Sequence, residues 1–176
     1  MPTNIEWKAS VKDILLAEQK LLELSPRFIG TDLQTDTYFN SAYGRLKLRQ
    51  GNIENALIHY NRENKAGTKT SSVLLYQANP SEKLKEILTC ALGVLTTVQK
   101  NRKIYFIDNV KFHFDSVQGL GNFVEVEAID MDQQFSLPQL KAQCDHYASL
   151  FNIQPGDYIA DSYSDMILQK NRIDKL

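Results

Sequence analysis

Two cysteines in 176 residues, Cys90 and Cys144, lie far apart with no Cys-x-x-Cys spacing, so they read as small hydrophobes rather than redox or metal groups. No apolar run reaches transmembrane length and no charged-then-apolar leader follows Met1, which predicts a soluble, cytoplasmic protein. The formal net charge is only −1, so there is no bulk electrostatic case for nucleic acid or an anionic membrane as partner. Internal repeats and low-complexity segments are also missing. What remains is ordinary globular composition, 43% hydrophobic and 23% charged, long enough for one domain over residues 1–176.

The charge that is present is patterned. Asn4–Val11 alternates, with Ile5, Trp7, Ala9 and Val11 on one face and Asn4, Glu6, Lys8 and Ser10 on the other. Similar period-2 patterns occupy Gln34–Phe39, Arg45–Gln50, Ala56–Arg62, Ser71–Gln77, Val98–Ile107, Val110–Ser116 and Asn122–Ile129. A hairpin is predicted at Asp108-Asn109, and Gly119 and Gly121 suit a tight turn before the last strand. Helices are predicted over Lys12–Leu24, stopped by Pro26, and from Asn79-Pro80-Ser81-Glu82 to about Ala91. Two more follow, from the capping-box spacing Ser136–Gln139 to about Phe151 and over Asp161–Gln169. Glu63–Thr70 reads as a polar loop. The class is α+β with an antiparallel sheet of about eight strands.

A wet face on an antiparallel sheet accounts for alternation, but it predicts mixed signs. Here Lys47/Arg49 and Lys100/Arg102 are basic strands, whereas Glu125/Glu127 is acidic. Eight strands closing into a β-barrel would hold such charges inside a lumen wide enough for side chains or one small ligand, with helices packed outside. A lumen of Arg and Lys is costly unless paired. A polyanion with divalent cations would neutralise both walls: Mg²⁺ takes carboxylates plus phosphate oxygens, and Arg and Lys take the remaining phosphate oxygens.

The motifs Asn4-Ile-Glu-Trp-Lys8, Gln34-Thr-Asp-Thr-Tyr-Phe39, Gly44-Arg-Leu-Lys-Leu-Arg49, Tyr60-Asn-Arg62 and Lys100-Asn-Arg102 occur in this order. They are followed by Asp115, Gly119-Leu-Gly-Asn-Phe-Val-Glu-Val-Glu127 and Ser162-Tyr-Ser-Asp165. Together they resemble the CYTH, or triphosphate tunnel metalloenzyme, superfamily, closest in flavour to class IV adenylyl cyclase-like proteins. The resemblance implies an eight-stranded antiparallel tunnel acting on a triphosphate (ATP, tripolyphosphate or thiamine triphosphate) with Mg²⁺ or Mn²⁺, as a monomer or homodimer. By matching position, Glu6, Glu125 and Glu127 would hold metal, with Asp115 as ligand or orienting group. Lys47, Arg49, Arg62, Lys100 and Arg102, with Lys69 from a loop, would hold phosphates, and Lys8 and Tyr38 would stand near the attacking water.

One position departs from the pattern: Asn4 replaces the first glutamate of the Glu-x-Glu-x-Lys signature and brings no charge. His59 and His113 are expected to pack or hydrogen-bond, since hard Mg²⁺ disfavours imidazole. Two reactions fit the machinery: hydrolysis releasing phosphate, and cyclisation of ATP to cyclic AMP and pyrophosphate. A non-catalytic polyphosphate or nucleotide sensor is the alternative. Removing Arg49 or Arg102 is expected to weaken substrate binding and to relieve cation–cation repulsion in the apo protein.

Overall fold

The computed structural model describes residues 3–61, 72–77 and 82–174. The first half comprises β1 (Thr3–Ser10), α1 (Ile14–Leu22), β2 (Arg27–Phe39), β3 (Arg45–Gln50), β4 (Ala56–Asn61) and β5 (Ser72–Gln77). The second comprises α2 (Glu82–Leu92), β6 (Val94–Ile107), β7 (Val110–Val117), β8 (Gly121–Asp130), α3 (Leu137–Leu150) and α4 (Tyr163–Ile173). The expected loop Glu63–Thr70, with Arg62, Lys69 and the helix start Asn79–Ser81, lies outside the described residues.

Local chemistry explains several boundaries. The Asp13 side chain accepts the Leu16 N–H at 3.0 Å and starts α1. At α3 the Gln139 side chain accepts the Ser136 N–H at 2.8 Å, as the capping-box spacing predicts. Gly93, at φ 71°, ends α2 and lets β6 begin at Val94, four residues before the alternating segment recognised in the sequence. Gly119 (φ 78°) and Gly121 (φ 108°) take the left-handed conformations that the turn into β8 requires.

All eight strands form one antiparallel sheet in the order β1-β8-β7-β6-β2-β3-β4-β5, so the chain's first strand pairs with its last. The sheet is strongly curled. Lys111 of β7 donates to Glu54, in the turn after β3, at 2.6 Å. Three strand spacings separate β7 from β3, about 14 Å in a flat sheet. Only a half-barrel lets these side chains meet.

The convex face is apolar and carries α1 and α3. Trp7, Phe112, Phe114, Val124 and Val126 project from the sheet onto Leu21, Leu140, Cys144, Tyr147 and Phe151. Trp7 anchors this layer, its indole N–H donating to the Cys144 carbonyl at 2.9 Å and its ring meeting Phe151 and Tyr158 edge-on. Glu18 of α1, buried, takes Lys103 and Tyr105 of β6. Trp7→Phe should cost about 1–3 kcal/mol, from a lost hydrogen bond and a partly filled cavity, read as a lower urea midpoint at unchanged slope.

The concave face carries the charged residues and is crossed by α4. Tyr163 packs with Tyr38, Tyr60, Val98 and Phe123, and Met166 and Ile167 support it. Arg45 of β3 binds Asp165 at 2.7 Å and holds the start of α4 in place.

Candidate functional site

Cross-strand register sets the charges in rows. Glu6 of β1 stands opposite Glu127 of β8, which stands opposite Lys111 of β7. In the next row, Lys8, Glu125 and His113 are successive partners. Arg102 of β6 faces Asp115 of β7, and Arg49 of β3 faces Asp36 of β2. Because side chains alternate, every second residue of each strand reaches the same concave surface.

The basic row is already neutralised from within, and Asp36 is its centre. Arg49 donates to both oxygens of Asp36 at 2.8 and 2.9 Å, Lys47 at 2.9 Å and Lys100 at 3.1 Å. Burial would raise the Asp36 carboxyl, but Arg49, Lys100 and Lys47 outweigh it and hold it well below the usual carboxylate range. Burial also lowers Lys100 to about 7, against the pull of Asp36.

Glu54 adds a second bridge, accepting from Arg49 at 2.9 Å and from Lys111 at 2.6 Å. Its turn is pinned by Asp32, a buried carboxylate that accepts the backbone N–H groups of Asn52, Ile53 and Glu54. The sequence-based expectation that losing Arg49 relieves repulsion is therefore corrected. Its loss would leave Asp36 and Glu54 short of a donor inside a buried network.

Arg102 donates to both oxygens of Asp115, at 2.7 and 2.6 Å, and also to Glu125 at 3.0 Å. The Tyr163 hydroxyl donates to Asp115 at 2.9 Å. Both Asp115 oxygens are thus engaged by Arg102 and Tyr163. Removing Arg102 would strip a buried carboxylate of its paired donors, so the relief expected from the sequence fails here for the same reason.

The acidic wall has the opposite imbalance. Burial, then Glu125, then Glu6 raise the Glu127 carboxyl to about 8. Glu125 is lowered, despite burial, by the His113 hydrogen bond and by Arg102. His113 lies with Nδ1 3.1 Å from Glu125 Oε2 and 3.6 Å from Glu127 Oε1. Burial, with Arg102 and Lys111 nearby, lowers it to about 4, so the ring is neutral at pH 7. Its buried Nε2 has no hydrogen-bond partner among the described residues. Three ligand-type atoms of His113, Glu125 and Glu127 lie within 4.8 Å of one another. A carboxyl this strongly raised beside a second carboxylate is a site short of positive charge, which fits a divalent cation. Asn4, opposite Ile129, supplies a neutral amide one rung beyond Glu6.

Lys8 donates to the Asp161 carbonyl at 2.6 Å, and its ammonium sits 4.2 Å from the centre of the Tyr163 ring. Tyr38 lies beside Lys47, Tyr60 and Ser164, and burial and Asp36 raise its hydroxyl to about 12. The phenol against Lys8 is therefore that of Tyr163, to which the motifs gave no separate role.

Asp36, Glu54 and Tyr163 are groups that sequence reasoning left without a role here, and His113, expected to pack or hydrogen-bond, lies 3.1 Å from Glu125. Asp36 stood inside a quoted motif, and His113 shares a strand face with Lys111 and Asp115. Glu54 gave no signal, since its position depends on the turn held by Asp32.

Among the described residues no helix is long and apolar enough to cross a membrane. No curated protein sequence matches the chain. Solved structures share its fold. Protein PH1012 of Pyrococcus horikoshii superposes with TM-score 0.77 at 22% identity, covering 92% of this chain and 98% of that one. A candidate adenylate cyclase from Vibrio parahaemolyticus gives TM-score 0.77 at 16% identity, covering 94% and 97%. A candidate adenylyl cyclase from Hippeastrum, described as having a dominant triphosphatase activity, gives 0.60 at 14% identity, covering 97% and 96%. The model of the CYTH domain matches residues 2–163, and with the curled sheet and its charged concave face it establishes that the chain belongs to the CYTH domain family.

Proposed function

We propose that this protein is a divalent-metal-dependent enzyme that binds a linear triphosphate on the concave face and transfers its phosphoryl group to water. The observation that carries the reading is the opposition of Lys47, Arg49, Lys100 and Arg102 to Glu6, Glu125 and Glu127 on one curled, largely buried surface. Phosphoryl transfer needs positioning and charge neutralisation more than covalent help, and these two walls are suited to both.

In this reading Glu6, Glu125 and Glu127 hold Mg²⁺ or Mn²⁺, which when bound polarises phosphate oxygens. Lys47, Arg49, Lys100 and Arg102 bind the chain by exchanging carboxylate partners for phosphate oxygens, the guanidiniums bidentately. Arg62 and Lys69 join them from segments outside the described residues. Tyr38 stays protonated at neutral pH and acts as a hydrogen-bond donor, while Lys8 orients the attacking water. Asp115 keeps Arg102 aligned.

Cyclisation of ATP is the second reading, favoured by the fold shared with the Vibrio protein. It uses the same phosphate and metal groups but also needs a ribose hydroxyl placed at the α-phosphorus. Purified protein with Mn²⁺ or Mg²⁺ and ATP, tripolyphosphate or thiamine triphosphate is expected to release inorganic phosphate. Pyrophosphate with cyclic AMP would replace the hydrolase reading with the cyclase one. Thermal stabilisation by tripolyphosphate without any product would make the protein a sensor.

A further inference from the structure

We propose that His113 is a further protein ligand of the divalent-cation site, adding an imidazole nitrogen to Glu6, Glu125 and Glu127 and shifting its preference from Mg²⁺ toward Mn²⁺ and the later first-row metals. The inference rests on the reading above that Glu6, Glu125 and Glu127 hold the cation.

Geometry carries it. A cation with bonds of about 2.1 Å holds neighbouring ligands about 3.0 Å apart and opposite ones about 4.2 Å apart. His113 Nδ1 stands 3.1 Å from Glu125 Oε2 and 3.6 Å from Glu127 Oε1, both inside that interval. The nitrogen faces both carboxylates at once, whereas a histidine that only oriented Glu125 would need to face one. The ring is 1% exposed and fixed on β7 between Phe112 and Phe114, whose side chains point into the opposite core, so Nδ1 has little freedom to turn away.

Other groups around Glu125 cannot take this place. Lys8, its neighbour on β1, and Arg102, which reaches the same Oε2 at 3.0 Å, are cationic donors without a lone pair to offer. Arg102 also has a paired partner in Asp115 that does not depend on Glu125. His113 alone among these three can ligate. As a ligand it offers the Nδ1 lone pair and carries its proton on Nε2, a buried position with no acceptor among the described residues. As a mere hydrogen-bond donor it carries the proton on Nδ1.

Imidazole is a poor ligand for hard Mg²⁺ and a good one for Mn²⁺, Co²⁺, Ni²⁺ and Zn²⁺. The mismatch that counts against His113 as a Mg²⁺ ligand therefore works in the other direction: a nitrogen beside the glutamates bears on which metal is held.

The full-length protein is titrated with Mn²⁺ and followed by electron paramagnetic resonance, with spin-echo modulation to detect directly bound nitrogen. Bound Mn²⁺ should show nitrogen modulation that changes on ¹⁵N-histidine labelling, persists in His59→Gln and disappears in His113→Gln. In His113→Gln the Mn²⁺ Kd should rise by at least about tenfold, the low end of what even an outer-shell partner contributes, with a smaller change for Mg²⁺. Bound Mn²⁺ without a coordinated nitrogen in the wild-type protein overturns the role of His113 and leaves the glutamate site standing. Equal losses for Mn²⁺ and Mg²⁺ in a folded His113→Gln also overturn the proposed preference. Failure of the wild-type protein to bind Mn²⁺ at all overturns the metal site itself. If His113→Gln does not fold, the labelling result on the wild-type protein decides alone.

Discussion

Glu125→Gln and Glu127→Gln are each expected to lower metal-dependent triphosphate turnover by about 10²–10³-fold, the loss that follows removal of one preorganised electrostatic contact in a buried site. Circular dichroism and thermal unfolding should show that the fold survives, because neither carboxylate anchors the apolar core. The Glu127 variant has a second, independent signature. Its carboxyl is raised to about 8 in the folded protein by burial, Glu125 and Glu6. A carboxyl with a raised folded pKa leaves stability intact below its unfolded value of about 4.3 and removes it as pH climbs toward the folded value. The apo wild-type protein should therefore lose stability relative to Glu127→Gln between about pH 4.3 and pH 8. A divalent cation should restore it, most strongly at the upper end of that window. Denaturant midpoints across this range with and without Mn²⁺ measure the effect. Parallel curves for the two proteins would show that Glu127 ionises without penalty, and full turnover in either variant would remove these glutamates from the metal site.

Asp36→Ala is expected to cost about 3–5 kcal/mol in the apo protein, the range for breaking a buried ion pair by removing one partner. Asp36 takes Arg49 through two hydrogen bonds as well as Lys47 and Lys100, so its loss leaves the basic row without the carboxylate all three share. Tripolyphosphate should then raise the melting temperature of the variant more than that of the wild-type protein, because an added anion replaces the one deleted. Arg49→Ala tests the same network from the other side. It should destabilise the apo protein and weaken triphosphate binding together, rather than trade one against the other. A cost below about 1 kcal/mol for Asp36→Ala, as for a solvent-screened surface pair, would mean that water and not Asp36 neutralises the basic row.

This internal neutralisation changes how such a site binds its ligand. The basic residues are not an empty positive groove awaiting phosphate. They are held in place by Asp36, Glu54 and Asp115, so the proposed triphosphate would have to compete with carboxylates already bonded. The competition favours a ligand with several closely spaced charges, which can exchange partners with Lys47, Arg49, Lys100 and Arg102 as a set.

Alternation is a property of single strands and is legible residue by residue along the chain. Glu6 with Lys8, Lys47 with Arg49, Lys100 with Arg102 and Glu125 with Glu127 each share a face because the strand period is two, and the apolar partners of those residues mark the other side. The order of motifs carried the family and with it the tunnel-type sheet. The tertiary structure alone decided which charges meet. Glu6 faces Glu127 only because the first strand pairs with the last, and Asp36 gathers Lys47, Arg49 and Lys100 only because β2 lies between β3 and β6. Glu54 enters the site through a turn pinned by Asp32, and Tyr163 through a helix laid across the open face. Such contacts join residues tens of positions apart, and their existence depends on register and curl, which no local pattern specifies. The sequence by itself determined which side chains could be charged and inward-facing; pairing across the curled sheet determined which of them are neutralised and set Glu127 beside Glu6 and Glu125.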